Sequence, residues 1–235
     1  MTPEEIIQRT ADYVKGEFER DSSGHDWWHI HRVWQTALML WRVEGGDRFT
    51  IELAALLHDL DDWKLVSSSL RPSPTGRPPD GGRWAGGEGR PIRAEAWLRQ
   101  MGVAPAVTDH ICEIITSLSF KGALVQTPMR TLEGQIAQDA DRLDAIGAIG
   151  IARAFAYGGH KGRLLYDPAS PPQMHASFEQ YQNSGSATIN HFYEKLLLLK
   201  DRMNTATAKK IAAQRHAYME QFLEQFLREW QGGEF

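Results

Sequence analysis

From Thr50 to Leu57 the chain is apolar nearly all round a helix: Ile51, Leu53, Ala54, Ala55, Leu56 and Leu57 cover almost every face. Such a helix belongs in the middle of a domain, with other helices packed about it. The run then ends in His58-Asp59-Leu60-Asp61-Asp62. Ionisable groups directly behind a buried stretch need partners, because an unpaired buried charge is costly. A divalent cation is the simplest partner for an adjacent imidazole and carboxylate. The alternative is a helix end where His58 and Asp59 merely meet solvent and the helix dipole. Adjacent His-Asp pairs arise often by chance, so the pair alone leaves both readings open.

The rest of the chain reads as further helices. Thr2-Pro3-Glu4-Glu5 is a helix start, with a capping threonine, a first-turn proline and acids at the positive end. Ile6, Ile7, Thr10, Tyr13, Val14 and Phe18 follow on one face. A second helix should follow the turn at Asp21–Gly24, carry Ile30, Val33, Trp34, Ala37, Leu38 and Trp41, and stop at Gly45-Gly46. The central helix should start near Thr50. Helices are expected again at about 91–101, 104–118, 131–157, 186–203 and 205–230. Proline and glycine dominate 67–89, which reads as a long loop, and 158–182 as a second. No strand signal or internal repeat is visible. The expectation is a single all-α domain over 1–235, with the helices of 186–230 packed on its core.

Composition sets further bounds. In 235 residues the net charge is -4, which gives no broad basic footprint, so duplex nucleic acid is not an expected partner. The single cysteine, Cys112, lies in the apolar run Ile111–Ile115, where a buried small hydrophobe is the favoured reading over a nucleophile. Residues 1–20 lack the apolar region of a signal peptide, and no apolar run approaches a membrane span. The expected location is the cytoplasm, without membrane attachment, as a monomer or homodimer.

Two more clusters join the His58-Asp59 pair: His25-Asp26-Trp27-Trp28-His29-Ile30-His31-Arg32-Val33, and Asp139-Ala140-Asp141-Arg142-Leu143-Asp144. Asp141, Ala145, Ala148 and Ala152 fall on one face of the helix expected over 131–157. Small residues there would let a neighbouring helix approach and would turn the carboxylate inward. The bland alternative is a helix-end acid. The ordered set His29-x-x-Arg32-Val33, Leu56-Leu57-His58-Asp59 and Ala140-Asp141-Arg142-Leu143 resembles the HD-domain phosphohydrolase superfamily, named for its His-Asp pair. Ser23 to His29, Asp139 to Gly150 and Thr188 to Leu196 look like one bacterial subfamily of uncharacterised HD hydrolases, a likeness covering nearly the whole chain.

That resemblance implies a fold of packed helices and one divalent metal held by His29, His58, Asp59 and Asp141. His25-Asp26 precedes a helix instead of ending a buried one, so it is not the doublet. Asp139 is the alternative to Asp141, which is preferred for its place in Ala-Asp-Arg-Leu. Two histidines with two acids point first to Mn²⁺ or Mg²⁺, with Fe, Co, Ni or Zn also compatible.

A divalent ion with open positions lowers the pKa of bound water and polarises a phosphoryl oxygen. Asp62 is then a candidate base, or a solvated turn acid. His25 could protonate a leaving group or bind substrate, or make a helix-start hydrogen bond. Lys64, Arg32, Lys121, His191 and Lys195 are candidate phosphate or substrate contacts. His191 and Lys195, at i and i+4, should share a helical face. The expected substrate is a small phosphate ester or anhydride, a nucleotide in the first instance: a triphosphate cleaved to pyrophosphate, or a monophosphate. The competing reading is a non-catalytic nucleotide or metal sensor using the same ligands.

Overall fold

The apolar helix is the natural starting point. In the computed structural model, which describes residues 1–19, 26–61, 90–177, 179–180 and 185–233, α3 spans Arg48–Leu57, and every residue from Thr50 to Leu57 is buried. It starts two residues earlier than the apolar pattern predicts. The cap is Asp47, whose carboxylate accepts from the amide of Thr50 at 3.0 Å.

The described residues are all-α, with no strand among them. They fall into two compact units. The first holds α1 (Pro3–Phe18), α2 (Trp27–Glu44), α3, α4 (Ile92–Gln100), α5 (Pro105–Leu118) and the start of α6 (Leu132–Asp144). Here α3 packs against α1, α2 and α5, and α4 against α5. The core includes Val14, Ile30, Leu53, Leu56, Leu57, Leu98 and Ile111. At the start of α1, Thr2 accepts from the amide of Glu5, whose side chain accepts in turn from the amide of Thr2. Gly45, at φ 84°, ends α2.

Glu52 is the one acid inside α3, and it is completely buried. Its carboxylate accepts from the indole Nε1 of Trp34 on α2 at 2.7 Å and from the guanidinium of Arg48. Hydrogen bonds to a charged acceptor are what make such burial tolerable. Gln138, also buried, donates to the carbonyls of Thr127 and Ser117 at 3.0 and 3.3 Å.

The second unit comprises Phe120–Gln126 and the described part of Asp139–Phe235. It contains the end of α6, α7 (Gly147–His160), α8 (Thr188–Glu194), a 3-10 helix (Leu196–Arg202) and α9 (Ala206–Trp230). Its core holds a run of packed rings, Phe155, Phe192, Phe222 and Phe226, extended by Tyr166 and Trp230.

Two expected helices are broken in this unit. The one expected over 131–157 stops at Asp144 and restarts at Gly147, whose φ is 77°. A side chain there would also press on the stem of Arg215 at 3.0 Å. The break removes the continuous face expected from Asp141 to Ala152: Ala148 and Ala152 are exposed. The helix expected over 186–203 changes at Lys195, where φ -142° and ψ -61° leave the helical region and a 3-10 helix takes over. Among the described residues, no helix is long and apolar enough to cross a membrane.

Candidate metal centre

In the first unit, two helix ends deliver three candidate ligands to one place. Asp26 caps α2, accepting from the amide of His29 at 2.9 Å. The carboxylate of Asp26, from the His25-Asp26 pair, is thus engaged in fixing the backbone of His29, itself almost wholly buried on the first turn. His58 caps the C-terminus of α3 and is buried too. Its Nδ1 lies 2.8 Å from the carbonyl of Ala55, one of the last four carbonyls of the helix, which lack intrahelical partners. A carbonyl only accepts, so Nδ1 carries the hydrogen and Nε2 presents its lone pair in the neutral ring.

The Nε2 atoms of His29 and His58 are 3.2 Å apart, and the rings meet at 78°. The two carboxylate oxygens of Asp59 lie 3.3 Å from Nε2 of His29 and 3.4 Å from Nε2 of His58. Two nitrogens this close cannot both bear protons. Neighbouring ligands on a six-coordinate ion with bonds of about 2.1 Å sit about 3 Å apart. Two imidazole nitrogens and a carboxylate at 3.2–3.4 Å therefore match, in spacing and donor type, the requirements of a borderline or hard divalent cation.

The turn carrying this pair is itself held. Asp61 accepts from the amides of Arg93 and Ala94, both at 3.1 Å. It thereby serves as the cap of α4, whose own N-cap position is Pro91, without a side-chain cap. Burial raises its pKa, and the two amides pull the other way.

In the second unit the acid cluster sorts itself. Asp139 is fully buried. One oxygen accepts from the amide and side-chain nitrogen of Asn204, at 2.8 and 2.9 Å, and the other from the amide of Thr205 at 2.7 Å. Thr205 is the cap of α9, so Asp139 anchors the start of that helix. Asp144 pairs with Arg153 at 2.9 Å. Asp141, half-buried, lies between them on α6.

A family model described as HD domain matches residues 27–146, a span that includes His29, His58, Asp59 and Asp141. The chain belongs to the HD-domain family. Over 227 residues this HD-domain chain is 38% identical to YpgQ of Bacillus subtilis, covering 96% of its own length and 94% of YpgQ's. The structure of YpgQ in complex with ADP has a TM-score of 0.67 at 34% identity, over 95% of this chain and 97% of that one. A protein from Lactobacillus plantarum superposes with a TM-score of 0.81 at 37% identity, over 99% and 100% of the two chains. An HD-superfamily hydrolase from Bacillus thuringiensis is 44% identical, with a TM-score of 0.67 over 98% and 99%. The chain is accordingly an HD-type metal-dependent phosphohydrolase.

The remaining candidate contacts of this HD domain are placed as follows. His25, Asp62, Lys64 and the loop 67–89 lie outside the described residues. Arg32 is half-buried on α2, one turn after His29. Lys121, His191 and Lys195 belong to the second unit. There Lys195 lies over the ring of Phe120 at 5.3 Å, beside Lys121 in sequence. Lys195 does not continue the helix of His191 as expected; it follows the last residue of α8, and its amide donates to the carbonyl of His191 at 3.0 Å.

Other residues of the second unit carry no sequence signal yet hold this region. The Arg202 guanidinium also lies over the ring of Phe120, at 4.9 Å, and donates to the carbonyls of Gly122, Ala123 and Val125. Buried Glu194 accepts from the amide of Gln173 and the hydroxyl of Ser186, at 3.0 and 2.9 Å, with Nε2 of His175 at 3.6 Å. Ser186 apart, these partners are about twenty residues or more away in sequence, so no local pattern marks them.

Proposed function

We propose that the chain hydrolyses a phosphate ester or anhydride of a small nucleotide, with one divalent cation, Mn²⁺ or Mg²⁺ first, held by His29, His58, Asp59 and Asp141. The convergence of two imidazole nitrogens and a carboxylate at 3.2–3.4 Å carries the reading. Two observations favour Asp141 over Asp139 as the further ligand. Both oxygens of Asp139 are engaged by the start of α9. Asp141 falls one helical turn after Ala137, which packs in the core cluster with Ile30, Leu56 and Leu57, and residues four apart share a helical face.

A bound cation would supply an activated water and a polarised phosphoryl oxygen. The protein's own part is positioning. Asp26 fixes His29, the Ala55 carbonyl fixes the ring of His58, and Asp61 fixes the turn that carries Asp59. In this reading Asp62 and His25 handle protons, while Arg32, Lys64, Lys121, His191 and Lys195 neutralise phosphate charge. A nucleotide substrate is supported by the ADP complex of YpgQ. The chemistry requires no membrane and fits a cytoplasmic location.

The test is phosphate or pyrophosphate release from a panel of nucleoside mono-, di- and triphosphates with Mn²⁺, alongside elemental analysis of the purified protein. Release that depends on added metal, and disappears in a His58→Ala, Asp59→Ala double variant, is the expected result. Full activity in that variant would refute the assignment.

A further inference from the structure

The first turns of α2 carry a graded strip. Buried His29 faces the candidate metal centre. Arg32, three residues on, lies about 60° round the helix and is half-buried. Trp28 lies about 100° round in the same sense and is 60% exposed. Trp28 and Arg32 are i and i+4, so they are neighbours on one flank. Helical side chains lean toward the N-terminus, so the Arg32 side chain leans toward the turn bearing Trp28 and His29. From the interior outward, the order is imidazole ligand, cation, indole.

Exposing a tryptophan to this extent forgoes a large apolar burial. Trp28 is not idle structurally: its ring and that of His31 form a T-shaped pair at 5.8 Å and 77°. That contact orients the ring yet leaves most of it open to solvent.

We propose that Trp28 is the base-binding platform of this enzyme, stacking the nucleobase of a nucleotide whose phosphates run past Arg32 toward His29. The order of groups on the strip matches the order of groups in such a ligand: planar base, anionic phosphates, reacting phosphorus. An indole face stacks on any base, so the platform selects nucleotides over base-free phosphates without selecting strongly among bases. The inference rests on the nucleotide reading above and adds the group that recognises the base.

Calorimetric titration of the Mn²⁺-loaded protein with ADP and, separately, with inorganic pyrophosphate separates the two ideas. In Trp28→Ala the ADP dissociation constant should rise about tenfold, the loss expected for one base–aromatic stack, while pyrophosphate binding stays unchanged. Trp28→Phe should restore most of the ADP affinity. Trp28 is exposed, so both variants should keep the parent's circular dichroism. Unchanged ADP affinity in Trp28→Ala, or equal weakening of ADP and pyrophosphate, would overturn the platform and leave the nucleotide reading standing. Failure of the parent protein to bind ADP at all, while it still binds pyrophosphate, would remove the nucleotide reading itself.

Discussion

Asp59 and Asp139 are both almost fully buried carboxylates, and their surroundings are opposite in kind. Asp139 is surrounded by donors: two amides and a side-chain amide. A buried anion met by three N–H groups is locally satisfied, and here it starts a helix. Asp59 instead faces two imidazole Nε2 atoms. Those rings cannot both be donors at a mutual 3.2 Å. The first arrangement holds a fold together with what the chain already has. The second brings a carboxylate against two imidazole nitrogens, the donor set that the proposed cation would use. Burial alone does not distinguish a structural acid from a ligand; the sense of the surrounding hydrogen bonds does.

The comparison can be broken most directly at its ligand end. Replacing His58 and Asp59 together by alanine should abolish bound metal, read by elemental analysis, and lower nucleotide hydrolysis on the order of a thousandfold. Retained metal would mean that His58 and Asp59 do not hold it. At the structural end, Asp139→Ala should cost about 3 kcal/mol in urea denaturation, because it strands several buried donors, while the folded variant still binds Mn²⁺. Asp59→Asn should do the reverse, losing metal but keeping the stability of the metal-free protein within about 1 kcal/mol.

A smaller effect sharpens the link between cap and ligand. Asp26→Ala should lose about 1 kcal/mol of stability as a missing helix cap. It should also weaken Mn²⁺ binding about tenfold, because the backbone of His29 is no longer fixed. Normal metal affinity in that variant would confine Asp26 to helix capping.

Cys112 offers the mildest contrast, a group buried by staying neutral. Desolvation pushes its thiol up to about 11. The raised folded-state value means that its contribution to stability is fully present at neutral pH and is lost as pH rises from the free thiol's range through about 11. At pH 8 a disulfide reagent should react with it about a hundredfold more slowly in the folded protein than in urea. Comparable rates would show that the thiol is accessible.

What could be read from the chain beforehand was local. The capping threonine at Thr2, the stop at Gly45 and the burial of Ile51–Leu57 follow from neighbours within a few residues, and they appear in the structure as read. The His58-Asp59 pair was visible because it ends an apolar run. Other features depend on distant partners and leave no local trace. The break at Gly147 is set by a backbone angle and by contact with Arg215, far along the chain. The uninterrupted apolar and small residues of 145–152 gave no reason to stop the helix there. The anchoring role of Asp139 needs Asn204 and Thr205, and the capping role of Asp61 needs α4, more than thirty residues away. His175 and Glu194 are united only by folding.

Glu52 sets a tolerance on the whole centre. Its carboxylate reaches across to the indole of Trp34 from the middle of an otherwise oily helix. Sliding α2 along α3 by one turn, about 5.4 Å, would tear that contact and leave the buried carboxylate with the Arg48 guanidinium but without its indole donor. The two helices that bring His29 and His58 face to face are therefore indexed like notched rods, with the notch well away from the chemistry. Substituting an apolar residue there would keep the interior filled yet free the rods to settle elsewhere, and misalignment would be felt first where two nitrogens must meet.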